Sequence, residues 1–325
     1  MRREGRTVVV PEEVFAVSPD LDFGSLRVVR KPRGKPLLWI GNEFSDAFGL
    51  ITLLTDRVTA SAMDSLPGLR VIANCAVGVD NVDIPAATER GIWVTHTPGV
   101  LTEATADLTW ALILSVARRI REGEETIRRL GFSGWSFDLL LGMELSGRTL
   151  GIIGPGRIGT AVARRGRAFG MSIGYYGRKR NPLFEAETGG RYFPLKKLLQ
   201  VADVVSIHVP LDPGTEGLIG EKELGLLKSD AILINTSRGG IIDEGALIRA
   251  LERGKLFGAG LDVFEKEPVV PEDLRRLPHV VMTPHIGSAT RETRGSMARI
   301  AHDNLMAVVR GRIPSNPVNE PVRTA

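Results

Sequence analysis

The chain has one cysteine, Cys75, in 325 residues. An internal disulfide is therefore excluded, and a reducing compartment is the natural one. The chain also lacks any apolar run of about 18 residues, the length a membrane-crossing helix requires. Its basic start, Met1-Arg2-Arg3-Glu4-Gly5-Arg6, is followed only by Thr7–Val10 before Pro11 and two glutamates. The apolar segment of a secretion signal is missing there. These absences predict a cytoplasmic protein with no membrane partner.

Nor does charge of one sign dominate. The 42 Lys and Arg stand against 38 Asp and Glu, leaving +4. Residues 1–98 carry 11 basic and 12 acidic side chains, and residues 99–286 carry 25 and 23. No lobe is a basic arm, so no nucleic-acid partner is expected. One stretch does lack acids altogether. Arg157, Arg164, Arg165, Arg167, Arg178, Lys179 and Arg180 follow one another without a single Asp or Glu.

What is present is ordinary globular material, 43% hydrophobic and 25% charged, over a length that suits about two domains. Short runs rich in Val, Ile and Leu recur at Thr149–Ile153, Ser172–Tyr176, Val204–Val209, Ala231–Asn235, Gly258–Val263 and Val280–Thr283. Segments of helical length separate them, including Ile158–Phe169 and Glu244–Arg253. Strands apolar throughout and alternating with helices predict a parallel sheet covered on both faces. That is a doubly wound, Rossmann-type α/β domain. Leu37–Ile40, Leu50–Leu54, Leu69–Ala73 and Ile92–Thr95 predict a second, smaller α/β unit. Leu101–Leu130 has the apolar spacing of one long helix between the two, and helical spacing returns at Arg291–Val309. The expected organisation is a substrate domain of residues 1–99 and 287–325 into which a dinucleotide-binding domain, 100–286, is inserted. The crossings near Pro98–Leu101 and His285–Ser288 would form a hinge.

Gly154-Pro155-Gly156-Arg157-Ile158-Gly159 matches G-x-G-x-x-G, a weak signal alone. Here it follows an apolar strand and opens a helix, as pyrophosphate binding requires. The first glycine permits the tight turn, the second admits the phosphates to the backbone, and the third packs helix on strand. About 20 residues on, an NAD-binding fold places an acid on the ribose hydroxyls. This chain has Tyr176-Gly177-Arg178-Lys179-Arg180 instead. Cations where a 2′-phosphate would sit, with no carboxylate to repel it, predict NADP(H) over NAD(H), the latter remaining possible.

Three polar positions stand at later strand ends, where open α/β sheets hold ligands. They are Arg238, within Asn235-Thr236-Ser237-Arg238-Gly239-Gly240, Glu267 before Pro268, and His285 in Thr283-Pro284-His285-Ile286-Gly287-Ser288. Together with Val77-Gly78-Val79-Asp80-Asn81-Val82-Asp83, Thr97–Asp107 and the glycine motif, in this order, they resemble the D-2-hydroxyacid dehydrogenases over roughly residues 50–318. Within that family the chain is most similar to the glyoxylate and hydroxypyruvate reductases.

The resemblance implies a small 2-oxo acid substrate and a role for each residue. Reduction needs a hydride at the carbonyl carbon and a proton at its oxygen. His285 would give the proton. An isolated imidazole, with a pKa of about 6.5, is mostly neutral at pH 7, so Glu267 would be the partner that favours the imidazolium. Arg238 would grip the substrate carboxylate and polarise the carbonyl. The resemblance also implies substrate contacts at Leu53, at the backbone of Val77 and Gly78, at Ser288, and at Trp135, which would reach a neighbouring subunit's pocket in a homodimer. Cofactor contacts are implied at Thr105, Gly154, Pro155, Gly156, Arg157, Ile158, Gly159, Gly177, Arg178, Lys179, Val209, Pro210, Thr236, Ser237, Arg238, Asp262, His285 and Gly287, with Asp262 accepting from the nicotinamide amide. No metal is expected. Two alternatives remain: a short D-3-phosphoglycerate dehydrogenase, and a dinucleotide-sensing binding protein on the same fold.

Overall fold

The computed structural model describes residues 5–37, 43–132 and 134–321. The chain divides into two compact units, one of Met1–Leu101 with Ala289–Ala325, the other of Thr102–Ser288. Among the described residues no helix is long and apolar enough to cross a membrane.

The first unit carries β1 (Thr7–Pro11), β2 (Arg27–Lys31), β3 (Ala47–Thr52), β4 (Val71–Asn74) and β5 (Trp93–Thr95). All pairings are parallel, in the order β2-β1-β3-β4-β5. This is the flavodoxin-like order. β1 and β3 differ from the sequence expectation in opposite ways. β3 begins earlier than Leu50, whereas β1 was not anticipated at all, although all five of its residues are buried inside the sheet. The expected strand at Leu37–Ile40 lies, from position 38 onward, outside the described residues. Helix Arg291–Val309 returns the chain to this unit, its N-cap Thr290 Oγ1 accepting from Thr293 N at 3.1 Å. Its Ala298, Ala301 and Leu305 are buried with Val8, Val10 and Val71 in one apolar cluster. Val318 N then donates to Val94 O at 2.8 Å, tying the last described segment to β5.

The second unit carries β6 (Thr149–Ile153), β7 (Ser172–Tyr176), β8 (Arg191–Tyr192), β9 (Val204–Ile207), β10 (Ile232–Asn235), β11 (Gly258–Leu261) and β12 (Val280–Met282). They form one sheet in the order β12-β11-β10-β9-β6-β7-β8, all pairings parallel. β9, β10 and β11 are buried at every residue, which is why they read as unbroken apolar runs. Chain order reverses between β6 and β9, so the crevice at the carboxyl ends of those strands is the switch point at which such sheets hold ligands.

The single helix expected over Leu101–Leu130 is two, Thr102–Ala117 and Ile120–Leu130. Arg119 between them is left-handed, with φ 51° and ψ 40°. The break has a tertiary cause. Ala117 O is taken by Met143 N at 2.7 Å, and a Cβ on Gly142 would lie 2.3 Å from that same oxygen. The returning chain thus lies directly on the carbonyl that a continuous helix would need. Arg119 then closes two hydrogen bonds on Glu122, at 2.9 and 2.6 Å, and starts the second helix.

Candidate active site

At the switch point, the three glycines of the loop after β6 have different neighbours. Gly154 has φ +102°, and a Cβ there would stand 2.7 Å from the backbone carbon of His208. Gly159 faces Gly154 O at 2.2 Å from a would-be Cβ. Both must be glycine for the protein's own packing. Gly156 differs, since a Cβ there meets nothing of the protein within 4 Å. It precedes helix Arg157–Ala168 and caps it with no side chain. A glycine that internal packing does not require, at the open N-terminus of a helix, fits the approach of a pyrophosphate to backbone amides. Pro155 closes the loop by packing its Cδ 3.0 Å from a would-be Cβ on Gly177, and its carbonyl accepts from Asn181 Nδ2 at 2.9 Å.

The run of cations that lacks acids in sequence does not lack them in space. Arg165 reaches Glu103 and Asp107, and Arg164 reaches Glu103 and Glu187. Arg180 is bound twice by Glu185, at 3.1 and 2.8 Å, and Glu185 also accepts from Tyr175 Oη at 2.5 Å. That removes Arg180 from the set of cations offered to a ligand. Arg178, 85% exposed, stands 3.9 Å from Asp212, and Lys179 is exposed.

The loop after β12 carries His285 in a left-handed conformation, φ 52°, which costs a non-glycine residue roughly 1–3 kcal/mol and has to be imposed by its surroundings. Asp262, at the end of β11 and 1% exposed, imposes it. Its carbonyl accepts from His285 N at 2.8 Å. Its Oδ1 accepts from Thr283 Oγ1 at 2.6 Å and Ile286 N at 2.8 Å, and its Oδ2 accepts from Gly287 N at 2.8 Å. Burial raises the Asp262 pKa, and these bonds together with the His285 charge only partly offset it. Its pH contribution follows: stability from this group is complete below the ordinary 3.8 and is lost as pH rises through the higher folded value.

So fixed, His285 presents Nδ1 to Glu267 Oε2 at 2.8 Å. The other oxygen of Glu267 accepts from Phe264 N at 3.0 Å. Burial would raise the Glu267 pKa, but the hydrogen bond and charge of His285, the Phe264 amide and the Arg238 charge prevail and hold it below the usual carboxyl value. Here the sign is opposite to that of Asp262. The stability from Glu267 is complete above the ordinary 4.5 and is lost as pH falls through the lower folded value.

Arg238 follows β10, half-buried, with its backbone fastened by Asn235, whose Nδ2 donates to Arg238 O at 2.8 Å and whose Oδ1 accepts from Ser237 N at 3.0 Å. Ser237 Oγ donates to Val209 O, so the ends of β9 and β10 are tied beside the glycine loop. Gly239 lies against the segment leading to Glu267, for a Cβ on it would stand 1.9 Å from the backbone carbon of Phe264. Thr236 shares a hydroxyl bond with Thr109 at 2.9 Å, and Thr105 Oγ1 donates to Gly287 O at 3.2 Å. Helix Thr102–Ala117 thereby joins Thr105, Thr236 and Gly287 in one cluster. Asn235, Gly239 and Thr109 have no assigned role in the sequence reading. A polar residue ending a fully apolar strand was the one available signal, at Asn235.

Burial pushes the His208 pKa down to about 3, and burial likewise lowers that of His279. In the first unit, Leu53 is half-buried against the apolar cluster of that unit. The Val77 and Gly78 amides have no acceptor among the described residues. Trp135 is 77% exposed and edge-on to Phe137, with ring centroids 6.1 Å apart. Ser288 is half-buried at the end of the second unit.

Residues 110–287 match the model of the D-isomer specific 2-hydroxyacid dehydrogenase, NAD binding domain. The chain belongs to this dehydrogenase family. It is 48% identical over 307 residues to a glyoxylate reductase of Thermococcus litoralis, covering 93% of each chain. It is 47% identical over 323 residues to a glyoxylate reductase of Aeropyrum pernix, covering 97% of this chain and 96% of the other. Among solved structures it resembles an NADPH-dependent glyoxylate/hydroxypyruvate reductase of Sinorhizobium meliloti in complex with NADP and malonate, with TM-score 0.87, 35% identity, and 98% and 99% of the two chains covered. The protein is thus an oxidoreductase of 2-hydroxy acids whose larger unit matches a domain that binds a nicotinamide dinucleotide.

Proposed function

We propose that the protein reduces glyoxylate, and hydroxypyruvate with it, to the 2-hydroxy acid, using NADPH in preference to NADH. The observation that carries this reading is the Glu267–His285 pair at 2.8 Å, held at the strand ends of the dinucleotide unit. A bound reduced nicotinamide supplies the hydride for the carbonyl carbon. The chain's own part is to hold and deliver a proton. With Nδ1 given to Glu267, His285 has Nε2 left to donate to the carbonyl oxygen as negative charge develops there, and the carboxylate steadies the charged ring. Arg238, its backbone set by Asn235, binds the substrate carboxylate, a task for which its planar fork of donors suits it. The amides of Val77 and Gly78, with Leu53 and Ser288, are the further substrate contacts that the likeness to the family implies. A panel of glyoxylate, hydroxypyruvate, pyruvate and 3-phosphohydroxypyruvate tests the substrate reading. Highest kcat/KM on the phosphorylated acid would replace it with the phosphoglycerate dehydrogenase alternative, and no turnover at all would favour the dinucleotide sensor.

The NADPH preference rests on Arg178 and Lys179, which are exposed, and on the absence of an acid at this strand end. We expect kcat/KM with NADPH to exceed that with NADH by about tenfold, the scale of one charge-assisted contact. Replacing both Arg178 and Lys179 with Ala should erase that margin, whereas Arg180→Ala should leave it, because Arg180 is already bound to Glu185. Equal preference in wild type would sink the assignment.

The homodimer reading draws support from Ile120, Ile127, Leu130, Phe132, Trp135, Phe137, Leu139 and Leu141, large apolar side chains all exposed within one stretch of 22 residues. Such clustering marks an association surface. Light scattering should give twice the chain mass, and Leu130→Glu with Phe137→Asp should give the monomer. A monomeric wild type would remove this reading and Trp135's place in a shared pocket.

A further inference from the structure

The first unit contains a polar side-chain network to which no role has been given above. Asn74, at the end of β4, is fully buried, and Asn81 is half-buried. Their amides exchange two hydrogen bonds, Asn74 Nδ2 to Asn81 Oδ1 at 3.1 Å and Asn81 Nδ2 to Asn74 Oδ1 at 3.2 Å. From this pair, bonds run to two separate segments. Asn81 Nδ2 also faces the carbonyls of Leu53 at 3.1 Å and Asp56 at 3.0 Å. Asn74 Nδ2 donates to Gly78 O at 2.9 Å, and Thr52 Oγ1 donates to Asn74 Oδ1 at 3.0 Å.

Both segments are pinned again from their other sides. Asp56 Oδ2 accepts from Leu53 N at 2.9 Å, while its Oδ1 pairs with Lys31 Nζ at 2.9 Å, the two side chains only 3% and 5% exposed. His96 Nδ1 lies 3.1 Å from Val77 O, and since a carbonyl accepts, Nδ1 carries the hydrogen. The peptide is planar and trans, so fixing the Val77 carbonyl toward His96 turns the Gly78 N–H the opposite way, out of the network. Fixing the Gly78 carbonyl toward Asn74 orients the next peptide in the same manner. Side chains, rather than sheet bonds, therefore decide where the amides of this loop point.

We propose that the Asn74–Asn81 amide pair is a positioning element for the 2-oxo acid, locking the Leu53–Asp56 segment to the Val77–Gly78 loop so that pocket wall and carboxylate-binding amides keep one geometry. This rests on the reading that Leu53, Val77 and Gly78 meet the substrate. Neither asparagine touches it.

Asn81→Asp is the direct test, being close in size but setting an acceptor against three oxygens. Glyoxylate KM should rise about tenfold, the cost of losing a buried donor, with kcat and the KM for NADPH close to wild type. Thr52→Val, which removes one donor to Asn74 and keeps the shape, serves if Asn81→Asp does not fold, and should raise glyoxylate KM about threefold. Oxamate, a non-reacting mimic of a 2-oxo acid, gives the same comparison as a dissociation constant in the presence of NADPH, and weaker binding by the variants is expected. A folded variant with wild-type glyoxylate KM and wild-type oxamate affinity overturns the proposal. So does a uniform change of kcat and both KM values that tracks a fall in Tm. Failure of wild type to reduce glyoxylate would instead count against the proposed reaction, and the oxamate comparison would still decide this inference.

Discussion

His285→Ala is expected to lower kcat with glyoxylate by about a hundred- to ten-thousandfold, the range for loss of a positioned general acid, and to leave NADPH binding within about twofold of wild type. The separation of the two effects follows from what holds the loop. The bonds that fix it are made by backbone N–H groups of residues 285, 286 and 287 and by Thr283, all to Asp262. None of them uses the imidazole. An alanine inherits the left-handed backbone and keeps the loop, while Glu267 loses only its partner. Fluorescence titration with NADPH beside steady-state kinetics checks both halves. Intact turnover would remove His285 as the acid, and loss of both turnover and binding would mean that the ring also supports the dinucleotide site.

The second large effect is expected at Gly239→Ala. The added methyl would meet the backbone of Phe264 at 1.9 Å from its carbon and 2.0 Å from its oxygen. Backbone cannot rotate aside as a side chain can, so either the ends of β10 and β11 move apart or the chain unfolds. Overpacking of this kind costs about 3 kcal/mol, which lowers Tm by roughly 6–12 °C for a folding unit the size of Thr102–Ser288. Because Arg238 precedes the glycine and Glu267 follows Phe264 by three residues, the same shift separates the two groups. Turnover in the folded fraction should therefore fall along with Tm in a melting experiment. Wild-type Tm and turnover would show that the close approach does not matter.

Much of the large sheet could be read in advance because its central strands are buried on both faces and leave a continuous apolar signature. β1 is equally buried but is not legible in the sequence, since its five residues stand between Arg6 and Glu12, end on a proline, and lie next to a charged start with no preceding helix-length segment to set a rhythm. β2 is an edge strand with charged residues at three of its five positions, and β8 has only two residues. The break at Arg119 was hidden for a different reason. The apolar spacing runs through it, and the group that stops the helix, the Met143 amide, lies 26 residues from Ala117.

The candidate site divides the same way. Strand-end position and the glycine motif drew attention to Arg238, Glu267 and His285, while their orientation depends on Asp262, Asn235 and Gly239 through bonds and contacts that spacing does not reveal. The charge run is the plainest lesson. Arg164, Arg165 and Arg180 look unneutralised in sequence and find Glu103, Asp107, Glu187 and Glu185 in the fold. Of the three cations at the end of β7, Arg178, Lys179 and Arg180, only Arg178 and Lys179 are left to speak for a 2′-phosphate, so the cofactor argument rests on two residues rather than three.

The central claim is that this chain moves a hydride from a nicotinamide to glyoxylate and a proton from His285 to its oxygen. Incubation of the protein with glyoxylate and NADPH deuterated at the transferable C4 position, with the product analysed by mass spectrometry, tests it most directly. The account predicts glycolate bearing one deuterium on C2, formed in step with NADPH consumed, and almost none from His285→Ala in the same time. Glycolate without deuterium, or none formed from wild type, would contradict it.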